Sequence, residues 1–307
     1  MVPSASPVLY CPPTTKLDSR ELLDRICVRP PYFALEALRC DDQDLLAEVQ
    51  AELPRSAELG PIQGAELSRH AAIAGLCVAA MAQPDDQRRY YLAQRATYWG
   101  FANRAPYGSR ITLRASLLDL TRREATARIH ASAGGQPLAE VEVQYTILTD
   151  NAFARLFRSR ERADIVGQPL DRMPPLPAGR LSREGDLWTR HIAEVPVAAC
   201  AGHFERYPAM PVAILMGQLS QLAGLSLGQD QPFWIPQASV EAHDFCWAGE
   251  PVTFSARATT REGDLNHFAC QAVASERTVG QMQLTLQRPT EKPAQQDIDG
   301  TFLTGTD

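Results

Sequence analysis

The chain has 307 residues, 45% of them hydrophobic and 21% charged, with a formal net charge of −6. At roughly 150 residues per domain this is enough for two domains or one large one, and the composition excludes wholesale disorder. The acidic balance weighs against a nucleic-acid partner, and no apolar run reaches the roughly 20 residues that cross a bilayer, so no membrane partner is expected.

Taken in chain order, residues 1–16 contain Pro and Thr but no basic stretch followed by an apolar core. No signal peptide is therefore expected, and a cytoplasmic location is. The first strong element is 61–82, PIQGAELSRHAAIAGLCVAAMA, which is apolar on every side beyond its opening turns. Such a segment reads as a buried helix. Four strand-like segments follow at 88–101, 110–120, 124–132 and 137–148, rich in β-branched and aromatic residues and separated by Gly, Pro and Asn. A Pro- and Arg-rich connector, 151–185, leads to a second apolar helix at 211–228, with Pro211 suited to a first helical turn. Four more strand-like segments follow at 233–247, 252–260, 266–275 and 278–287, and 289–307 reads as a polar, flexible tail.

The second series repeats the first. Both helices carry Ala-Gly-Leu, at 74–76 and 223–225, and GSRITLRA at 108–115 lines up with GEPVTFSA at 249–256. An internal duplication follows, with a first repeat over 1–150 and a second over 186–288. One buried helix followed by antiparallel strands is the hotdog arrangement, an α+β fold in which a sheet wraps around the helix. Two in tandem predict a double hotdog, and pairing the two sheets edge to edge satisfies both free edges.

Before the second helix the chain reads Gly202-His203-Phe204, then Pro208, Met210-Pro211, then Gln221, Ala223 and Gly224. These positions resemble the signature of the β-hydroxyacyl-[acyl-carrier-protein] dehydratases, GHFPGxPxMPG followed by a helix that carries a carboxylate. The resemblance covers roughly 186–287 and reaches the first half through the repeat. It implies a 3-hydroxyacyl thioester, carried by an acyl carrier protein or coenzyme A, dehydrated to the trans-2-enoyl thioester without metal or other cofactor, in a specialised polyketide, polyene or lipid pathway. His203 would be the base, with Phe204 and Met210 beside the substrate. A neutral imidazole suits removal of a weakly acidic α-proton, and a carboxyl group suits protonation of the departing hydroxyl.

The pattern breaks on the second helix. Gly217 stands where the acid belongs, 211–228 holds no carboxylate, and Glu205-Arg206 replaces Pro-Gly. In the family the acid comes from the other subunit's helix, so in a fused pair the first helix would serve His203. Its only carboxylate is Glu66, which is the expected second catalytic residue. Aligning Gly75 with Gly224, however, puts Ser68 at the acid position, and two residues are about 200° of helix rotation. Glu66, Ser68 and His70 therefore all remain open, and Gly64 is the expected backbone contact for the thioester oxygen.

The sequence keeps two other functions open. A hotdog thioesterase would use the same acyl site but activate water. An inactive subunit would bind acyl chains or an active hotdog partner, and a homo-oligomer is also compatible. Arg155, Arg158, Arg160 and Arg162 read either as a basic entrance that attracts an acidic carrier protein or as a solvated connector helix. Seven cysteines, odd in number and without a CxxC pair, predict neither a disulfide framework nor a zinc site.

Overall fold

The computed structural model describes residues 15–162 and 172–289. The first half contains β1 (Thr15–Lys16), α1 (Ser19–Arg25), β2 (Glu36–Asp41), β3 (Asp44–Val49) and α2 (Gly64–Met81). It continues through β4 (Arg89–Gly100), β5 (Ile111–Leu120), β6 (Glu124–Ala133) and β7 (Gln136–Thr149) to the short α3 (Asp150–Leu156). The second half contains β8 (Arg180–Glu184), β9 (Leu187–Ile192), β10 (Ala209–Met210) and α4 (Val212–Leu227). It ends with β11 (Trp234–Ala242), β12 (Cys246–Trp247), β13 (Val252–Glu262), β14 (Leu265–Ala274) and β15 (Arg277–Gln287).

Thirteen of these strands form one sheet in the order β1-β2-β3-β5-β6-β7-β4-β11-β15-β14-β13-β9-β8. Within it, β3-β5-β6-β7-β4 and β9-β13-β14-β15-β11 follow the same path, each around its own helix. The registers agree too: Val49 pairs with Ile111 as Ile192 pairs with Val252. The halves meet through β4 and β11, antiparallel, with Thr97 opposite Ser239. The two edges thus close on each other, as the double hotdog requires.

Alternation along the strands explains the core. In β3, Leu45, Ala47 and Val49 are buried, and in β14 every second residue is. These inward positions meet α2 and α4 respectively. The two Ala-Gly-Leu glycines allow close approach: a Cβ on Gly75 would run into the Tyr145 hydroxyl, and one on Gly224 into the Phe233 ring. α2 is buried as expected except along Ala65, Ser68 and Ala72, which stay partly open on one side, and α4 leaves Gln218, Gln221 and Leu225 only partly covered.

Three features were not legible in advance. Residues 17–49 form α1 and the β2–β3 hairpin, which extend the first half-sheet. The expected connector contains β8, which pairs with β9. A third cluster of Tyr90, Phe153, Phe204, Tyr207 and Trp247 fixes α3 against the loop before α4, with Phe153 stacked on Tyr90 at 3.7 Å. The expected tail, from 290 onward, lies outside the described residues, as does Cys11; the six described cysteines are buried. Among the described residues no helix is long and apolar enough to cross a membrane.

Candidate active site

The loop from β9 to α4 turns sharply at Gly202, whose φ is +74°. A Cβ there would overlap the Arg29 carbonyl oxygen and lie 2.8 Å from the Tyr32 nitrogen, so only glycine fits. Phe204 and Glu205 follow at φ +61° and +28°, a conformation that costs an L-residue energy and needs outside support. The support comes from the N-terminal segment. Arg29 N donates to Gly202 O at 2.8 Å, Val28 bridges to His203, and Glu205 pairs with Arg29 and Arg88 at 3.2 and 3.3 Å. The departure from Pro-Gly at 205–206 thus anchors the loop to the first half of the chain.

His203 is held at both ends. Its backbone N–H donates to Cys200 O at 3.0 Å, and its Nδ1 lies 2.8 Å from Ala209 O. A carbonyl only accepts, so Nδ1 carries the proton and Nε2 keeps the lone pair. Phe204 stacks on the ring at 3.8 Å and Tyr32 meets it edge-on at 5.1 Å. Burial pushes the imidazole pKa down to about 4, against an opposing contribution from the Ala209 hydrogen bond. His203 is therefore a neutral imidazole at physiological pH.

The imidazole faces a largely apolar cavity of about 300 Å³ lined from both halves of the chain. Of the residues singled out in the sequence, Gly64, Ser68, His203, Phe204 and Met210 line it, and Glu66 does not. The Glu66 carboxylate instead accepts from the N–H groups of Glu52 and Leu53, at 2.6 and 3.1 Å. The helix phase decides this: Ser68 occupies the side of α2 that opens toward His203, and Glu66 lies two residues away. Ser68 Oγ donates to Gly64 O at 2.7 Å. His70 is fully buried, outside the cavity, with Nε2 3.0 Å from Arg69. Glu52, Glu66 and His70 have the spacing of metal ligands, but the Arg69 guanidinium sits among them, paired with Glu52 and hydrogen-bonded to His70. The cation of this cluster is Arg69.

Gly64 lines the cavity without offering its N–H, which correction follows from a residue the sequence did not single out. Glu58 Oε1 accepts from Gly64 N at 2.5 Å and so caps α2. α4 has no such cap: its N-cap is Pro211, with no side-chain hydrogen bond, and Val212 and Ala213 of its first turn line the cavity. Gly217 sits at the helix crossing, where a Cβ would lie 3.5 Å from that of Ala65. The acid position of α4 therefore points to the first turn of α2, where the preceding loop has no histidine.

The Glu58 cap has a measurable consequence. Burial, opposed by the Gly64 hydrogen bond and reinforced by Glu66, raises its pKa from 4.5 to about 7. A carboxyl raised on folding contributes stability below its unfolded pKa, and that stability is lost as pH rises from about 4.5 to about 7. Glu58→Gln keeps an acceptor for Gly64 N–H and cannot ionise. It is expected to match wild type near pH 4 and exceed it near pH 8 in urea unfolding, while Glu58→Ala loses about 1 kcal/mol of capping at both. A Gln variant weaker than wild type near pH 8 would show that the helix end holds the ionised form.

No protein-family model matches the chain, and no curated protein matches it. Solved structures do match in shape. A candidate oleoyl thioesterase from Lactobacillus plantarum aligns with a TM-score of 0.56 at 11% identity, over 81% of this chain and 97% of that one. A conserved protein of unknown function with the hotdog fold from Alicyclobacillus acidocaldarius gives 0.53 at 13%, over 86% and 100%. An acyl-ACP thioesterase from Bacteroides thetaiotaomicron gives 0.51 at 11%, over 80% and 98%. At such identities these likenesses establish the fold alone.

Proposed function

From the premise of a hotdog-fold chain, we propose that it hydrolyses an acyl thioester with His203 as general base. The observation that carries this reading is a buried neutral imidazole, His203, on an apolar cavity, with no carboxyl at either expected acid position, Ser68 or Gly217; the other histidine and the carboxylate that line the cavity, His243 and Asp244, are exposed. Dehydration must expel hydroxide, whose conjugate acid has a pKa of about 15.7, and so needs a proton donor. A thiolate leaves far more readily, since its conjugate acid has a pKa of about 8–9. One base suffices for hydrolysis, whereas the dehydration expected from the sequence needs a second group beside His203, which neither helix supplies at its expected position.

His203 Nε2 takes a proton from water as the water oxygen attacks the thioester carbonyl carbon. The oxygen of the tetrahedral intermediate gains the negative charge, which the first-turn N–H groups of Val212 and Ala213 are suited to hold. The C–S bond breaks, and the departing sulfur receives the proton back from Nε2. The acyl chain occupies the apolar part of the cavity. Phe157, Phe245 and Asp244 line its mouth, and Arg155 and Arg158, exposed beside Phe157, suit the negative charge of coenzyme A or of an acyl carrier protein.

The test is incubation with saturated and 3-hydroxyacyl thioesters of short, medium and long chains, on coenzyme A and on a carrier protein. Release of free thiol with free acid, read by a thiol-reactive dye and by mass spectrometry, is the expected result. Loss of water with the thioester intact would return the assignment to dehydration, the reading that the Gly202-His203-Phe204 resemblance supports. Binding without turnover would make the chain a hotdog subunit that serves an active partner.

A further inference from the structure

Six hydroxyl-bearing side chains line the cavity, and three of them are distinguished by where their protons go. Ser68 donates to Gly64 O, Ser220 to Met216 O and Tyr145 to Ala72 O, at 2.7, 3.0 and 2.8 Å. Tyr32, Tyr91 and Tyr98 also line it, and of these only Tyr32 has its ring against His203. The Tyr32 hydroxyl makes no hydrogen bond among the described residues, although the side chain is buried.

The ring is gripped rather than merely present. His203 meets it edge-on, and the Arg69 guanidinium lies 5.8 Å from its centroid on the ring face. Arg69 is itself fixed by Glu52 and His70. The backbone below is locked as well: Phe33 N donates to Arg29 O at 2.9 Å, and Tyr32 N packs against Gly202. The Glu52–Arg69–His70 cluster, in which Arg69 and His70 are buried and which contributes nothing to the cavity wall, thus acquires a role in setting the Tyr32 ring.

We infer that Tyr32, resting on the thioester-hydrolysis reading above, is a catalytic residue whose hydroxyl donates a hydrogen bond to the thioester carbonyl oxygen beside His203. It supplies a donor that neither α2 nor α4 provides through a side chain. A preorganised donor of this kind acts most strongly as charge develops on that oxygen, because it need not reorient and competes with no water. Burial, only partly opposed by Arg69, pushes the phenol up to about 12, so it remains a donor across the working pH range.

Tyr32→Phe removes the hydroxyl and keeps every ring contact, so folding is preserved. Two unreactive probes separate the readings: the ketone analogue of decanoyl-coenzyme A, with methylene in place of sulfur, and the decyl thioether, which lacks the carbonyl. Titration calorimetry is expected to show Tyr32→Phe binding the ketone about 3–10-fold more weakly and the thioether unchanged. Turnover of decanoyl-coenzyme A is expected to fall about 10²-fold in kcat, with KM rising by no more than the about 3–10-fold read with the ketone. The pH dependence set by His203 should stay in place. Wild-type affinity and rate in Tyr32→Phe would overturn the assignment while leaving hydrolysis standing. A wild-type protein that binds neither probe and hydrolyses no thioester would overturn both.

Discussion

Replacing His203 with alanine is expected to lower kcat/KM for thioester hydrolysis by about 10²–10⁴-fold, the usual contribution of a positioned general base. The pH profile is the sharper readout. With its pKa near 4 in the folded protein, the imidazole is deprotonated throughout the neutral range. The rate of the wild type should rise through about pH 4 and stay flat above it, whereas an unperturbed histidine would place the limb near 6.5. A limb near 6.5 would mean that the loop leaves the ring solvated. Stability carries the same signature. A histidine depressed on folding contributes stability above its unfolded pKa, and this is lost as pH falls from about 6.5 toward 4, because the unfolded chain takes up the proton first. The wild type should therefore lose stability relative to His203→Ala across that window. Comparing the two proteins cancels the opposite trend of Glu58, which titrates in the same range.

Gly202→Ala is expected to cost about 2–5 kcal/mol, the sum of a left-handed alanine and a main-chain overlap. The overlap is with the Arg29 carbonyl and the Tyr32 nitrogen, so the displaced loop should also carry His203 away from Tyr32 and reduce turnover. Gly185→Ala separates the two contributions. Gly185 has φ +57° in the β8–β9 turn, with nothing within 4 Å of a built Cβ. It should lose only the conformational part, about 1–2 kcal/mol. Urea unfolding with unchanged m values measures both. Equal losses at the two glycines would show that the N-terminal segment does not seat on the loop.

The fold was legible because its signals are local and repeated. Helices buried on nearly all sides have no polar face, as in 64–81, and strands buried on one side alternate, as in β14. The hairpin β2–β3 escaped notice because its pieces are short, and β8 because its residues are exposed throughout and show no alternation. Within the candidate site, His203 was singled out by resemblance, through Gly202-His203-Phe204 with Pro208 and Met210-Pro211, and the structure places it on the cavity wall. Glu66 was selected by residue type, as the only carboxylate on its helix, and residue type says nothing of direction. Glu58 and Tyr32 sit in segments without periodicity, so nothing nearby in the chain distinguishes them from ordinary loop residues.

Sequence alone determined the duplication, the two central helices, the strand pattern around each and the loop that presents His203. All of these depend on neighbours within a few residues, where steric and hydrophobic preferences act directly. Tertiary structure alone decided which side of α2 faces the cavity, that Glu58 occupies the N–H of Gly64, and that Tyr32 lies against His203. These depend on contacts between residues far apart in the chain. A helix turns by about 100° per residue, so an offset of two positions separates a side chain in the cavity from one buried behind it. Only the packing of α2 against the sheet and the second half of the chain sets that phase.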